Sequence, residues 1–380
     1  MMNHGIYIHI PFCSTKCGYC DFYSLSLSCL NNKTKPDNDI IGLYHETIIT
    51  EIQNISNNII ADTLYIGGGT PTLLGGKLVN IIYAAKNRFS LSSNAEITVE
   101  ANPDSVSLPL LCELSKAGVN RISFGLQSAN ENELHALGRT HTANDVENAV
   151  NTAKTAGINN ISIDIMLGIP YQTQKSLNNT LDFIKKLGIQ HISAYILKIE
   201  PGVPLAKESV LSHCPDDDTT SDLYLYTVKY LEKLSLKQYE ISNFAIENHK
   251  SRHNLKYWTL APYIGIGVSA HSFDGKSRFT HSNDINSYIK NWKSDITCYD
   301  ENAGGFDEYS MLSLRLATGL DCDIAEKNYG VNKNVLLKKA QDIYNKNRAE
   351  PLVELDGNTI KLTPKGFLVS NNIIKLLSEF

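Results

Sequence analysis

The chain has 380 residues, enough for one large domain and a smaller appended one. Apolar residues make up 42% and charged residues 20% of it, which is typical of a globular protein with a sizeable core. The formal net charge of −5 argues against a dedicated nucleic-acid-binding protein, which would carry a basic surface. No run approaches the roughly 20 apolar residues of a membrane helix, and no signal peptide is evident.

Short apolar runs alternate with amphipathic helical patterns from the first residues onward. The runs that predict strands are Gly5–Ile10, Ala61–Ile66, Ala95–Glu100, Arg121–Gly125, Asn160–Met166 and His191–Ile196. The stretches that predict helices between them are Tyr44–Gln53, Lys77–Arg88, Leu108–Ala117, Thr142–Ala156 and Lys175–Leu187. This alternation predicts βαβ units with a parallel sheet, here an α/β protein with a partial (β/α)6 barrel.

We expect three regions along the chain. Residues 1–240 form the barrel, residues 241–300 form a linker, and residues 301–380 form a small α+β, winged-helix-like C-terminal domain. A surface loop is expected at Ser24–Asp39, where Cys29 is interpreted as a loop thiol and not a ligand. Near the C-terminus, Leu352–Leu355 and Thr359–Leu362 read as a hairpin joined by an Asp-Gly turn.

Three of the eight cysteines, Cys13, Cys17 and Cys20, stand at C-x3-C-x2-C spacing directly after the first predicted strand. Three thiolates on one tight loop can each hold one iron of a [4Fe–4S] cluster, which leaves the fourth iron open. A zinc site would need a fourth ligand, and incidental thiols also remain as an alternative. Cysteines clustered in this way favour a reducing compartment over disulfides, so we expect a cytoplasmic protein.

Polar and glycine residues recur where the predicted strands end. A glycine turn that contains Gly68, Gly69 and Thr70 follows the second strand, Glu100 ends the third, Gln127 follows the fourth and Asp164 lies late in the fifth. Ligands of α/β barrels bind at the carboxyl ends of the strands. The sequence therefore predicts a single site there, although each polar residue could also belong to an ordinary ion pair.

The run Tyr7-Ile-His-Ile-Pro-Phe-Cys13-x3-Cys17-x-Tyr19-Cys20-Asp-Phe22 resembles the signature of radical S-adenosylmethionine (SAM) enzymes. Within that superfamily it is similar to the oxygen-independent coproporphyrinogen III oxidase family and its haem-chaperone branch, HemW. The resemblance covers essentially the whole chain.

The resemblance implies that the three cysteines hold a [4Fe–4S] cluster and that SAM occupies its open iron. It also implies a set of residues that contact SAM or lie beside the cluster. These residues are Tyr7, Tyr19, Gly68, Gly69, Thr70, Glu100, Gln127, Arg139 and Asp164. Acids suit the ammonium and hydroxyl groups of SAM, and an arginine suits its carboxylate.

A second motif, His253-Asn-x-x-Tyr257-Trp258, could be a structural histidine beside two aromatic residues. It also resembles the motif associated with haem binding in the chaperone branch, where an imidazole can ligate haem iron. Two departures from the oxidase branch point the same way. Phe22 stands where the oxidase has a fourth cysteine, and the oxidase's N-terminal extension before the first strand is missing.

These features favour a haem chaperone over a radical SAM enzyme that decarboxylates a porphyrinogen, and no residue is predicted to be catalytic. For His9, a packed histidine is the favoured interpretation over a proton-transfer role. The resemblance implies haem and a haem protein of the respiratory chain, which could be membrane-associated, as partners, with a flavodoxin- or ferredoxin-type electron donor. A nucleic-acid-modifying enzyme is disfavoured by the acidic net charge.

Overall fold

The computed structural model describes residues 3–28 and 39–378. The predicted loop thiol Cys29 lies outside the described residues, as does most of the predicted surface loop around it. All six predicted strands of the barrel are present, and most are longer than predicted. They are β1 (His4–Ile10), β4 (Ile60–Gly68), β5 (Ser90–Ala101), β6 (Arg121–Gln127), β7 (Asn160–Leu167) and β8 (His191–Ile196), with the short pair β2 (Phe12–Cys13) and β3 (Leu25–Ser26) after β1.

The six barrel strands lie in the order β1-β4-β5-β6-β7-β8, and every neighbouring pair in this run is parallel. Parallel neighbours require crossover connections, which the helices between the strands supply. All carboxyl ends therefore meet at one edge of the sheet. On β1 the alternation of side chains sends Ile6, Ile8 and Ile10 into the core, and Tyr7 and His9 toward the other face.

The five predicted crossover helices are confirmed with small shifts at their ends. They span Ile40–Asn54, Gly76–Arg88, Leu108–Ala117, Ala143–Thr155 and Gln174–Leu187. Capping residues mark the ends of these helices. Thr142 and Asp145 form a reciprocal capping box, and Gly118 ends its helix in the left-handed conformation. A further helix, Asp217–Lys233, begins in the acidic run, with Asp216 as its N-cap.

Residues 241–300, predicted as a linker, add strands to the same sheet. After β9 (Lys237–Gln238) come β10 (Asn243–Ala245), β11 (Tyr263–Ile266), β12 (His271–Phe273), β13 (Arg278–His281) and β14 (Ile296–Asp300). Strand β11 pairs in parallel with β1, and β12, β13 and β14 continue antiparallel from it, so the sheet is large and mixed. A run of short strands broken by glycine and polar turns carries too weak a periodicity to reveal this pairing.

The C-terminal region is helical apart from a small sheet. The predicted hairpin forms from β16 (Val353–Asp356) and β17 (Thr359–Leu362), and the short strand β15 (Leu320–Asp321) pairs with β17 on the other side. The helices are Phe306–Ser313, Cys322–Tyr329, Lys333–Lys346, Pro364–Leu368 and Ser370–Ser378. Their likeness to a winged helix stays a prediction, as do the boundaries of the three regions. Over residues 3–28 and 39–378, no helix has the length and hydrophobicity needed to cross a bilayer.

Candidate functional site

A pocket of about 340 Å³ opens at the carboxyl ends of the parallel strands. We call it the polar pocket. The predicted residues that line it are Cys13, Cys17, Tyr19, Cys20, Gly68, Gly69, Thr70, Glu100, Gln127, Arg139 and Asp164. Tyr7 and Tyr257 instead line a second pocket next to it, and His253 and Trp258 line neither.

The cysteine loop is held by backbone hydrogen bonds. The N–H of Gly18 donates to the carbonyl of Leu137 (3.1 Å), and the carbonyl of Gly18 accepts from the N–H of Leu205 (2.8 Å). The N–H of Cys20 also donates to the carbonyl of Cys17 (3.3 Å), which closes a tight turn between two of the thiols. These backbone hydrogen bonds attach the cysteine loop to neighbouring segments and fix its geometry.

Cys13, Cys17 and Cys20 are partly exposed at this loop, and none of them forms a disulfide. Partial burial raises the pKa of Cys13 and of Cys20, and the Thr70 hydroxyl lies 3.8 Å from the Cys13 sulfur as its donor. Bound iron would stabilise the thiolates against this cost.

Among the described residues, no three His, Cys, Asp or Glu side chains are grouped as ligands of one metal ion. A [4Fe–4S] cluster does not require such convergence, because each thiolate binds a different iron atom. Three accessible thiols around one pocket fit such a cluster.

The glycine turn packs directly on the end of the first strand. The N–H of Gly69 donates to the carbonyl of Ile10 and the N–H of Thr70 to the carbonyl of Phe12, both at 2.7 Å. Gly68 has a φ of +108°, and a Cβ there would lie 2.4 Å from the His9 ring. Only glycine fits this position, since both the backbone conformation and the close approach exclude a side chain.

Two carboxylates face the polar pocket, Glu100 from β5 and Asp164 from β7, with β6 between them. Glu100 accepts hydrogen bonds from the Tyr65 hydroxyl (2.6 Å) and the Gly68 N–H (3.0 Å), and Asp164 accepts from the Ser123 hydroxyl at 3.2 Å. Burial raises the pKa of both carboxyls, and the charge of Asp164 raises that of Glu100 further. Carboxylates in such surroundings gain from a bound cation or hydroxyl donor, as the ammonium and ribose of SAM would supply.

Arg139 supplies the positive charge of the polar pocket. Its Nη1 donates to the Asn102 amide oxygen (2.9 Å), and its Nη2 donates to the Tyr19 hydroxyl (2.8 Å). Its buried Nε has no hydrogen-bond partner among the described residues. A buried donor without a partner costs free energy, and a carboxylate ligand would satisfy it. With two carboxylates and one arginine, the pocket fits the opposite charges of a sulfonium amino acid.

Gln127 is strained where it enters the pocket. Its φ is +64°, although it is not a glycine, and the register between β6 and β7 shifts at this point as a β-bulge. A Cβ added at Gly125 would lie 2.9 Å from the Gln127 side-chain nitrogen and 3.1 Å from the Arg139 Nη2, so these two groups meet above Gly125. Bulges and non-glycine residues at positive φ are concentrated at functional sites.

Sequence reasoning missed several polar residues that line the polar pocket or bind its carboxylates. Asn102 bridges Arg139 and the Thr70 hydroxyl, and Ser123 and Tyr65 hold the two carboxylates. Ser123 lies opposite Glu100 in the register of β5 and β6, which the sequence alone does not give. A signal was available for Asn102, which lies two residues beyond Glu100 where the strand ends.

The histidine of the predicted haem motif is enclosed. His253 is 1% exposed, its Nδ1 lies 2.8 Å from the Thr63 hydroxyl oxygen, and its Nε2 lies 2.8 Å from that of Tyr257. Its ring stacks on Tyr65, and burial lowers its pKa to about 3. Both ring nitrogens are engaged, so ligation of haem iron by His253 would require one of these hydrogen bonds to break. Its role in haem binding stays a prediction.

The second pocket has a volume of about 500 Å³, and we call it the aromatic pocket. The residues that line it are Tyr7, His9, Lys16, Asp21, Phe22, Tyr23, Tyr257, Tyr263, Ser269, His271 and Asn283. His9 is held inside, with its Nδ1 2.9 Å from the Tyr7 hydroxyl and its Nε2 2.9 Å from the Tyr23 carbonyl. Burial lowers the pKa of His9 to about 4, so its ring is neutral at neutral pH. Phe22 is shared by both pockets and is 71% exposed.

The parallel sheet, the cysteine triplet and the glycine turn that packs on it define a radical SAM protein. Sequence comparison agrees, since the family described as "Radical SAM superfamily" matches residues 7–184. Among solved structures, coproporphyrinogen III oxidase (HemN) from Escherichia coli, described as a radical SAM enzyme, superimposes on this chain with a TM-score of 0.82. The two are 21% identical, and the superposition covers 99% of this chain and 90% of that one. At this identity the likeness establishes the fold alone.

Relatives named "Heme chaperone HemW" match over more than two thirds of this chain, and some match over nearly all of it. The Bacillus subtilis protein is 32% identical over 97% of each chain, and the Lactococcus lactis protein is 30% identical over 98% of this chain and 96% of its own. The Escherichia coli protein is 35% identical over 70% of this chain and 69% of its own. The chain belongs to the HemW family.

Proposed function

We propose that this protein is a haem chaperone that binds haem together with a SAM-liganded [4Fe–4S] cluster and delivers haem to respiratory haem proteins. The observation that carries this proposal is the pair of adjoining pockets, one polar and one aromatic, that share Phe22. The names of the relatives in the HemW family support the same function.

In this proposal Cys13, Cys17 and Cys20 hold the cluster. A bound cluster with one open iron supplies a place where SAM chelates and can accept an electron. The glycine turn offers backbone groups to the amino acid part of SAM, Arg139 pairs with its carboxylate, and Glu100 and Asp164 receive its ammonium and hydroxyl groups. The bulge at Gln127 holds that side chain beside Arg139. Whether SAM is cleaved does not enter the chaperone function.

The partners follow from this function. Haem is the cargo, and its acceptor is a haem protein of the respiratory chain, with a flavodoxin- or ferredoxin-type protein as electron donor. We place the protein in the cytoplasm, because its described cysteines are unpaired as a reducing compartment requires. The three regions 1–240, 241–300 and 301–380 remain our proposed division of the chain, with β11 to β14 belonging to the second.

The competing function is oxidative decarboxylation of a porphyrinogen by a radical SAM enzyme. Anaerobically reconstituted protein would be incubated with SAM, a strong reductant and coproporphyrinogen III. The chaperone proposal predicts no protoporphyrinogen IX, haem binding in a titration, and transfer of the bound haem to an apo haem protein. Formation of protoporphyrinogen IX, or a failure to bind haem, would contradict it.

A further inference from the structure

One histidine of the aromatic pocket differs from its neighbours. His271 opens β12, is exposed and lines the pocket. Its Nδ1 lies 3.2 Å from the Tyr299 hydroxyl oxygen, and the Tyr299 ring packs edge-on against it. Within residues 3–28 and 39–378, no hydrogen bond engages its Nε2. In the tautomer whose Nδ1–H donates to Tyr299, the Nε2 lone pair is available to a metal.

The other imidazoles near the pocket cannot serve in this way without rearrangement. Both ring nitrogens of His9 are engaged by Tyr7 and Tyr23, and both of His253 by Thr63 and Tyr257. His271 is therefore the histidine of the pocket wall that has a free nitrogen and access to solvent. Partial burial and the positive charge of Arg278 lower the pKa of His271, which favours the neutral form of the ring that iron binds.

The walls around His271 suit a flat aromatic macrocycle. Tyr7, Tyr257 and Tyr263 all line the pocket, and the rings of Tyr257 and Tyr263 pack edge to face with centroids 4.7 Å apart. The pocket volume of about 500 Å³ lies in the range of small-molecule sites. Phe22 adds a largely exposed ring to the wall of the pocket, and a ligand bound there would cover it.

The rim of the aromatic pocket is charged. Lys16 lines it, with its ammonium 3.2 Å from the carbonyl of Phe22 as donor, and it can meet a propionate that projects toward solvent. Asp21 also lines the rim and would disfavour a propionate on its own side. Haem carries both propionates on one edge, so the lysine side of the rim fixes which edge faces outward.

We propose that haem binds in the aromatic pocket with the Nε2 of His271 as an axial ligand to its iron, and with the ring of Tyr257 as part of the wall. This proposal rests on the proposed haem-chaperone function. In this proposal the motif that contains His253 and Tyr257 supports the haem site without ligating the iron. Tyr257 contacts the macrocycle, and His253 positions Tyr257 from behind through the hydrogen bond to its hydroxyl.

The test is a haem titration of the cluster-loaded protein, followed by absorption and resonance Raman spectra. His271→Ala is expected to weaken haem binding by about tenfold or more and to remove the iron–histidine stretching mode of the ferrous form. Added imidazole is expected to restore the spectrum, because it can occupy the space left by the side chain. His135→Ala, at an exposed histidine outside both pockets, is the matched control and should bind haem as the wild type does.

Folding is checked through the iron, sulfide and SAM content of each variant, which His271→Ala should leave unchanged. If His271→Ala folds poorly, the titration uses His271→Gln instead, because the glutamine amide keeps the polar contact to Tyr299. A wild-type protein that binds no haem would overturn the proposed function itself. Wild-type haem binding with an unchanged affinity and iron–histidine mode in both His271 variants would overturn this inference alone.

Discussion

The two pockets meet at Phe22 and are built in opposite ways. In the polar pocket, hydrogen bonds within the protein hold the charged side chains in place: Tyr65 and Gly68 hold Glu100, and Asn102 and Tyr19 hold Arg139. In the aromatic pocket, rings form the walls and His271 offers an unengaged nitrogen. A pocket whose charged groups are held in fixed positions recognises one compact charged ligand. A pocket of aromatic surfaces recognises a shape and can release it more readily.

The pockets also differ in where along the chain their residues come from. The polar pocket is formed largely by the loops and strand ends of the parallel barrel, which radical SAM proteins share. The aromatic pocket joins the first strand and cysteine loop to residues 257–283, beyond the matched radical SAM region. The proposed cluster and SAM site therefore lies in the barrel that radical SAM proteins share. The proposed haem site lies where residues after the barrel pack against its first strand.

The largest expected effect is on the polar pocket alone. Replacing Cys13, Cys17 and Cys20 together with alanine should abolish iron and sulfide binding, because no other set of described cysteines surrounds a pocket. Iron and sulfide are measured after anaerobic reconstitution. Cys298→Ala, at an exposed cysteine, is the control. Full iron content in the triple variant would refute the cluster site.

The next largest effect is a pH-dependent change in the free energy of unfolding through His253, which hydrogen-bonds to Tyr257 in the wall of the aromatic pocket. The pKa of His253 is lowered by burial from 6.5 to about 3, so the folded state holds a neutral ring that protonates readily once unfolded. Its contribution to stability is present above pH 6.5 and is lost as the pH falls toward 3. By pH 4.5 the loss amounts to about 3 kcal/mol.

The measurement is urea unfolding followed by tryptophan fluorescence at several pH values between 7 and 4.5. His253→Gln, which cannot take up a proton, should lower stability at pH 7 and flatten its decline toward acid. Histidine-to-glutamine replacement at His135, which is exposed, should leave the slope unchanged. An equal slope in wild type and His253→Gln would contradict the buried neutral ring.

A smaller effect is expected at the arginine of the polar pocket. Arg139→Met removes the charged partner proposed for the SAM carboxylate, a loss of charge-assisted hydrogen bonds that corresponds to roughly tenfold to hundredfold weaker SAM binding. Calorimetry on cluster-loaded protein measures the affinity. Haem binding should not change, and Arg348→Met, at an exposed position, serves as control. Equal losses for SAM and haem would show that the pockets are not separate.

The smallest effect is expected at the residue that the pockets share. Phe22→Ala removes a ring that is 71% exposed, so stability should change by less than about 0.5 kcal/mol. Haem should nevertheless dissociate about threefold to tenfold faster, since an aromatic contact contributes roughly 1 kcal/mol. Stopped-flow transfer to an apo haem protein measures this rate. A change in SAM affinity without a change in haem release would reverse the role given to Phe22.

Much of the barrel was predictable because its strands and helices carry strong periodic patterns. Glu100, Gln127 and Asp164 could be placed together from the rule that strand ends converge, and they do line one pocket. Tyr7 could not be placed in the same way. Its side chain lies beside His9 in the aromatic pocket, because residues two apart on a strand face the same side.

The aromatic pocket escaped prediction for a related reason. Its far wall depends on the pairing of β11 with β1, and nothing in the sequences of these two strands indicates that they pair. The enclosed state of His253 also depends on that fold, since Thr63 approaches it from a distant part of the chain, whereas Tyr257 lies one turn further along the same helix. Local patterns reveal elements and strand ends, whereas contacts of this kind are set by packing.

The pairing of β1 with β11 has a consequence for synthesis. Gly5 lies opposite Tyr263 in the register of these strands, so one edge of the first strand has no partner until the ribosome has made more than two thirds of the chain. Contacts of such sequence separation form late. The segment that carries Cys13, Cys17 and Cys20 therefore leaves the ribosome well before the segment that completes the proposed haem site.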